Sequence, residues 1–378
     1  MFMNLDIMQW FDFNVLIFMG MSLVLNGFIA YLWHKKFYRK LGLKSYQAIQ
    51  RIHLNETPRL GGLVFILSLT SFVMYCPNNE SIQLLKIILI CLIPIVIVGL
   101  KEDLFHNVEP ATRLLTLLFV GWLFRTEFTG PFPNLADVPL ISKLIALQGG
   151  ISFFYILGIV AVANGMNLID GVNGLCAAVA LSILGALLFI SYKTNDVVML
   201  STIFNVILIL IPFLIFNYPY GKIFLGDLGA YSLGLIISML TIILFSRHPE
   251  ISPWGAALIL IYPATEVVFS LLRRAIKGVS IFHPDTSHLH LKFFHFFRPQ
   301  PHYKKIANAL VAPILSPLWL FPLIAISWVY LKTLYIFISI LLFLLCYGLL
   351  YGILPNIQKT KQNKTKQNKT KQNKTKLN

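Results

Sequence analysis

The sequence has little charge, and its charge is mostly of one sign. Only 12% of the 378 residues are charged and 57% are hydrophobic, and 31 lysines and arginines stand against 15 acidic residues. A soluble domain carries about 25% charged residues, so a mean hydropathy of +0.74 excludes an ordinary soluble protein. The apolar residues come in runs of roughly 15–22, long enough to cross a hydrocarbon core of about 30 Å. The composition predicts an all-α, polytopic integral membrane protein.

Two other features are missing. The four cysteines (Cys76, Cys91, Cys176 and Cys346) lie in or beside apolar segments and never form a CxxC pair, so neither a disulfide framework nor a cysteine metal cluster is predicted. The amino terminus has no basic region before its first apolar run and carries two aspartates, which is unlike a cleavable signal. We therefore expect the first apolar run to remain as a helix.

The net charge of +16 does not indicate nucleic-acid binding. Eight lysines lie in residues 359–376, a repeat of KTKQN with no apolar residue to bury. We expect residues 1–355 to form a single transmembrane domain and residues 356–378 a disordered tail. The tail is either a dispensable repeat or an aid to membrane association through anionic lipids.

Eleven apolar stretches predict about eleven transmembrane helices, with ten as the alternative. They cover residues 13–33, 62–77, 83–100, 112–125, 151–168, 174–191, 199–217, 229–245, 254–272, 308–328 and 333–353.

The basic residues predict the orientation of these helices. The segment after the first stretch, HKKFYRKLGLKSYQAIQRIHLNETPRL, is rich in lysine and arginine, whereas the next connection, CPNNESIQ, has no basic residue. Because cytoplasmic loops carry the excess of lysine and arginine, we expect the amino terminus outside and the carboxyl terminus in the cytoplasm. All the polar clusters that are candidates for catalysis or binding then lie on the cytoplasmic side.

One of these clusters lies at the start of the second apolar stretch, and another lies at the end of the third. HLNETPRLGG, residues 53–62, holds Arg59 and a glycine pair that allows close backbone approach; it is a phosphate or positioning site, or a plain basic loop. GLKEDLFHNVEPATRLL, residues 99–115, holds Glu102 and Asp103 at the end of an apolar run. Neighbouring carboxylates repel each other, so a cation or a catalytic base would justify them; a solvated helix end is the alternative.

Two further clusters combine acids with amides or glycines. In NGMNLIDGVNGL, Asn164, Asn167 and Asp170 recur at a spacing of three, which places them on one helical face. In FLGDLGAYSLG, Asp227 is either a metal ligand or an ordinary helix cap. Carboxylate and amide oxygens are the ligands that Mg²⁺ prefers, and Mn²⁺ can substitute.

The last cluster is RRAIKGVSIFHPDTSHLHL, residues 273–291. Arg273, Arg274, His288 and His290 suit a pyrophosphate better than zinc, because HxH without further ligands is weak support for a zinc site. Acids, amides and cationic groups together are what phosphoryl transfer requires, namely positioning and charge neutralisation.

These motifs, in this order across residues 53–291, resemble the polyprenyl-phosphate N-acetylhexosamine-1-phosphate transferases and, more distantly, phospho-N-acetylmuramoyl-pentapeptide transferase. The resemblance implies a Mg²⁺-dependent enzyme of a bacterial inner membrane, with its active site on the cytoplasmic face. Its substrates would be a UDP-N-acetyl sugar and polyprenyl (undecaprenyl) phosphate, its products UMP and a polyprenyl-diphosphate sugar. Membrane lipids would surround it, a homodimer is compatible, and no nucleic acid is expected.

The resemblance also implies residue roles. Glu102 and Asp103 occupy the family's Asp-Asp position, Asn167 and Asp170 its nucleotide-site pair, and Asp227 its metal-binding aspartate. Catalytic work is thus expected of Glu102, Asp103 and Asp170. Substrate binding is expected of Asn164, Asn167, Arg59, Arg273, Arg274, His288 and His290.

Two positions depart from the family pattern. Glu102 replaces an aspartate, and Leu291 stands where many members have a further histidine. The implied pathways include O-antigen, lipopolysaccharide and cell-wall assembly. The alternatives are a transporter or flippase for an anionic lipid or sugar, and an inactive relative of the family.

Overall fold

The computed structural model of the chain describes residues 13–34, 57–131, 133, 149–280, 287–304 and 306–353. Within these ranges the regular structure is entirely α-helical. The predicted all-α, polytopic membrane fold is therefore confirmed. The predicted lysine-rich tail and most of the FHPDTSH segment lie outside the described residues.

Fourteen helices occur in the described residues. They are α1 (Asn14–His34), α2 (Gly61–Tyr75), α3 (Glu80–Phe105), α4 (Pro110–Glu127), α5 (Gly150–Ile169), α6 (Leu175–Lys193), α7 (Val197–Asn217), α8 (Gly226–Arg247), α9 (Trp254–Ile259), α10 (Ile261–Lys277), α11 (Leu289–Phe297), α12 (Ala307–Ile314), α13 (Ser316–Val329) and α14 (Thr333–Ile353).

Eight segments of the described chain are long and apolar enough to cross a membrane: α1, α3, α5, α6, α7, α8, the α12–α13 pair and α14. Helix α2 is apolar but has only 15 residues. Helix α4 carries charged residues near both ends. The predicted number of eleven spans, like the predicted orientation, therefore stays a prediction.

The stretch at 254–272, which we expected to be one span, is divided into α9 and α10. Pro263 lies in the first turn of α10 and has no N–H to donate to the preceding turn. Helix α9 ends at Ile259, and Leu260 separates the two helices. The prediction of one continuous helix here is wrong, because apolar composition alone does not register the local effect of proline.

Helix α8 lies at the centre of the fold. Every residue from Gly226 to Phe245 is buried, and the helix packs against α2, α3, α5 and α6. Small residues allow the close contacts: a Cβ on Gly62 would lie 2.2 Å from the Cα of Gly229, and one on Gly99 would lie 2.5 Å from the Cα of Leu228. Tight helix packing in membranes depends on such small residues, so the first turn of α8 is held firmly between its neighbours.

The chain leading into α2 is hydrogen-bonded to the chain leading into α8. Phe224 donates its N–H to the carbonyl of Pro58 (2.8 Å), and Gly61 donates to the carbonyl of Phe224 (2.9 Å). Arg59 lies within this backbone pairing, so its side chain is fixed beside the start of α8.

Candidate active site

Asp103 caps the amino terminus of α8. Its two carboxylate oxygens accept the backbone N–H groups of Asp227 and Leu228 at 2.8 and 2.9 Å. Helix amino termini present unpaired N–H groups and a partial positive charge, both of which a carboxylate satisfies. Gly226 has a φ of +78°, and a Cβ there would lie 2.5 Å from Asp103, so glycine is required at this turn.

Asp227 lies between two arginines. Its carboxylate accepts from Arg59 at 2.5 Å and from Arg113 at 2.6 Å. The Nε of Arg59 also lies 3.2 Å from Asp103, so one guanidinium group bridges two acids. Asp227 is therefore not the helix cap that its sequence position allowed; Asp103, from α3, has that role.

Asp170 and Asn167 complete this cluster from the end of α5. Asp170 follows the last residue of α5 and accepts a backbone hydrogen bond from Gly226, while the side chain of Asn167 reaches Asp227. Although burial acts to lower it, the pKa of Arg59 is raised by the carboxylates of Asp227, Asp103 and Asp170, so its guanidinium is charged.

Glu102 points to a different set of partners from those of Asp103. Its side chain accepts the N–H of Val108 at 2.9 Å, and the Nη1 of Arg113 lies 4.0 Å away. Glu102 thus holds the turn between α3 and α4 and faces the second arginine. The repulsion expected between adjacent acids is relieved because each acid has its own cationic neighbour.

The acid cluster has more acids than cations. Among the described residues, Glu102, Asp103, Asp170 and Asp227 face the guanidinium groups of Arg59 and Arg113, and His106 lies nearby. Among the residues that the structure describes, no three His, Cys, Asp or Glu side chains form a ready-made metal cluster. Mg²⁺ does not need one, since it is held by one or two carboxylates together with water and substrate phosphates.

His288 and His290 are brought together by an acid that sequence reasoning missed. The Nδ1 of His288 lies 3.0 Å from Glu266, and the Nδ1 of His290 lies 3.9 Å from the other oxygen of the same carboxylate. The two imidazole rings stack with centroids 5.7 Å apart. Glu266 is fully buried, and the histidines are nearly so.

Three predicted substrate-binding residues have other neighbours. The side chain of Asn164 donates to the carbonyl of Val160, one turn earlier in α5. Arg273 lies over the ring of Tyr351 at 5.3 Å, and Arg274 lies half-buried in the last turn of α10. The structure joins Arg59, Asn167, Asp103, Asp170 and Asp227 in one cluster, but it does not place Asn164 or Arg273 there.

Arg113 and Glu266 carried signals that could have found them. Each is an ionisable residue inside a largely apolar stretch, and such a residue is a candidate for function because its burial is costly without a partner. Arg113 lies at the end of the 99–115 cluster, where it was given no role, and Glu266 stands alone among apolar residues in ATEVVF.

Known proteins are similar to this chain over the region that holds most of the acid cluster. Residues 85–245 match the glycosyl transferase family 4 model. A probable undecaprenyl-phosphate N-acetylglucosaminyl 1-phosphate transferase of Bacillus subtilis is 26% identical over 258 residues, which cover 68% of this chain and 71% of the relative. A Thermotoga maritima undecaprenyl-phosphate alpha-N-acetylglucosaminyl 1-phosphate transferase is 28% identical over 244 residues, or 65% and 70% of the two chains.

A phospho-N-acetylmuramoyl-pentapeptide-transferase of Levilactobacillus brevis is similar at the same level, 27% identical over 253 residues, or 62% of this chain and 76% of the relative. Both groups named from the motifs are thus among the relatives, and the predicted resemblance is confirmed. The region that matches the family model, residues 85–245, contains Asp103, Arg113, Asp170 and Asp227.

Proposed function

We propose that this membrane protein transfers an N-acetylhexosamine 1-phosphate from a UDP-sugar to polyprenyl phosphate, with undecaprenyl phosphate as the acceptor. An oxygen of the lipid phosphate bonds to the sugar-linked β-phosphorus, the bond from that phosphorus to the oxygen of UMP breaks, and UMP leaves. The product is a polyprenyl-diphosphate sugar. Such a lipid starts the assembly of a cell-surface glycan, and O-antigen and lipopolysaccharide are among the destinations we propose.

One observation carries this proposal: three helix ends place Asp103, Asp170 and Asp227 around Arg59 and Arg113, at the first turn of the buried helix α8. The names of the B. subtilis and T. maritima relatives describe this reaction. A flippase would need ionisable groups along a path through the bilayer. The described acid–arginine cluster lies instead at helix ends.

The side chains suit positioning and charge neutralisation. Arg59 and Arg113 are fixed cations that can bind phosphate oxygens through their planar guanidinium groups. Asp103 holds the first turn of α8 and thereby fixes Asp227. In this proposal Asp170 and Glu102, whose carboxylates lie near the arginines, act on the lipid phosphate and on the nucleotide.

We propose Mg²⁺ as the cofactor, held by Asp227. The excess of acids over guanidinium groups and the oxygen-rich donor set fit a hard divalent cation. When bound, the ion would supply neutralisation of the negative charge on the diphosphate. Mn²⁺ has the same ligand preference and is expected to substitute.

The test is UMP release by membranes that contain the full chain, supplied with Mg²⁺, undecaprenyl phosphate and each of a panel of UDP-N-acetyl sugars. We expect release only when metal, lipid and one donor are all present, and mass analysis of the lipid product identifies the sugar. Asp227→Asn removes the charge that faces both arginines, and we expect a loss of roughly 10²–10³-fold, as for other preorganised electrostatic groups.

Glu250→Gln is the matched control, because Glu250 is an exposed acid that lies 3.0 Å from His248, away from the acid cluster. Its turnover should equal that of the wild type. Failure to release UMP from any donor contradicts the enzyme assignment. Near-normal turnover by Asp227→Asn contradicts the assigned role of Asp227.

A further inference from the structure

Glu266 faces two histidines at once, His288 within hydrogen-bond distance and His290 at a longer ion-pair distance. The Nδ1 atoms of His288 and His290 face opposite oxygens of its carboxylate, at 3.0 and 3.9 Å. Because Nδ1 and Nε2 lie on opposite sides of an imidazole ring, both Nε2 atoms point away from Glu266. A single buried acid therefore sets the orientation of both rings.

The space next to His290 is provided by a glycine. A Cβ on Gly171 would lie 2.6 Å from the Nε2 of His290, so the ring edge faces the backbone directly after Asp170. Asp170 in turn accepts from Gly226 at the start of α8. The histidine pair is therefore continuous with the acid cluster through the chain between α5 and α6, and Glu266 lies behind it.

Glu266 is the acid that faces the histidine pair. The other titratable groups around it are Tyr262 from α10 and Tyr347 from α14, which lie near Glu266, while Arg273 acts on Tyr347. Burial lowers the pKa of His290, and the contact with Glu266 only partly opposes this. A single carboxylate balances one imidazolium ion, so Glu266 can stabilise at most one positive charge on the pair.

We propose that Glu266 is a positioning residue for the transfer reaction: it holds a proton at Nδ1 of His288 and turns the Nε2 atoms of His288 and His290 toward the diphosphate of the sugar nucleotide. This inference rests on the proposed function. A carboxylate behind a histidine raises the basicity of the ring and selects its tautomer. Without Glu266, the rings lose both orientation and charge.

The test compares Glu266→Gln with the wild type across pH, using the donor that supports turnover. Glutamine keeps the size and one acceptor oxygen but removes the charge that stabilises the imidazolium ion. The pair then loses its proton at lower pH, so the alkaline limb of kcat/KM should move down by about one pH unit or more. We expect KM for the UDP-sugar to rise about ten-fold or more, with a smaller change in kcat, because ligand-orienting partners carry roughly 10–100-fold effects.

Glu250→Gln again serves as control, since Glu250 also lies 3.0 Å from the Nδ1 of a histidine, but in an exposed pair. A uniform loss of rate at every pH, with KM and the pH profile unchanged, would show a merely structural role and overturn the inference. Glu266→Asp keeps the negative charge on a side chain one methylene shorter, so the carboxylate lies farther from the two rings. It should rescue the pH profile in part, and it decides the question if the glutamine variant does not fold.

A readout without turnover separates this inference from the proposed function. NMR titration of histidine-labelled protein in detergent, with His288→Gln to assign the signal, should show a lower midpoint for the pair in Glu266→Gln. An unchanged midpoint overturns the inference whether or not the wild type releases UMP. Absence of UMP release by the wild type contradicts only the proposed function.

Discussion

At the scale of single residues, the site depends on which acid meets which cation. Asp103 and Asp227 are 124 positions apart, yet the carboxylate of Asp103 accepts the backbone N–H of Asp227. Arg113 binds Asp227 through Nη1 at 2.6 Å and also faces Glu102. It therefore links Glu102 to Asp227, whereas Arg59 links Asp103 to Asp227. Arg113 is therefore as central to the cluster as the residues that the motifs indicated.

Replacing Arg113 by lysine tests this position. Lysine keeps the charge, but its compact ammonium group cannot bind two acids in the planar geometry of a guanidinium group. We expect UMP release to fall by at least about ten-fold, the equivalent of roughly 1.4 kcal/mol of transition-state stabilisation. Arg125→Lys is the control on the same helix, since Arg125 bonds Ser152 near the far end of α4. Equal activity of the two variants would contradict a role for Arg113.

At the scale of helices, α8 supports the site because its neighbours reach its backbone. The Gly62–Gly229 contact brings α2 against the first turns of α8, and Arg59 lies three residues before that contact. Packing that close leaves no volume for even a methyl group. The position of Arg59 therefore depends on a helix interface that contains no catalytic side chain.

Gly62→Ala tests this dependence. A Cβ placed 2.2 Å from the Cα of Gly229 must push α2 away, and overpacking of this kind costs about 1–3 kcal/mol or more. We expect a lower thermal unfolding temperature in detergent and weaker UMP release. Gly20→Ala in α1 is the control, because no heavy atom lies within 4 Å of its added Cβ. Similar unfolding temperatures for the two variants would show that the interface tolerates separation.

At the scale of the whole molecule, polar groups gather at two opposite ends of the bundle. One end holds the acid cluster; at the other, Asp196 at the start of α7 accepts from Arg247 at 2.6 Å and from His248 at 3.0 Å. The sequence did not predict this Asp196 cluster, because all the candidate functional clusters were expected on one side of the membrane. It ties α7 to the end of α8 and, with Glu250, marks the side opposite the acid cluster.

The proposed sidedness predicts which end meets the cytoplasm. In a variant with Cys346→Ser, which removes the exposed native thiol, a cysteine at exposed Glu250 should react with a membrane-impermeant maleimide on intact cells. A cysteine at exposed Glu109, beside the acid cluster, should react only after the membrane is opened. The reverse pattern would place the active site outside and contradict the use of a cytosolic UDP-sugar.

The sequence by itself determined the membrane class and the motif residues of the site. Apolar runs of this length are typical of membrane-spanning helices. Acids or amides beside such runs are costly to bury, so they indicate function. Contacts between distant positions follow from packing, which residue spacing does not encode. Only the tertiary structure decided that Asp103 rather than Asp227 caps α8, that Arg113 binds Asp227 and that Glu266 lies against His288 and His290. The physical reason is that each pair joins residues far apart in the chain, which meet only when the helices pack; for the acid cluster, that packing includes the close glycine contacts around buried α8.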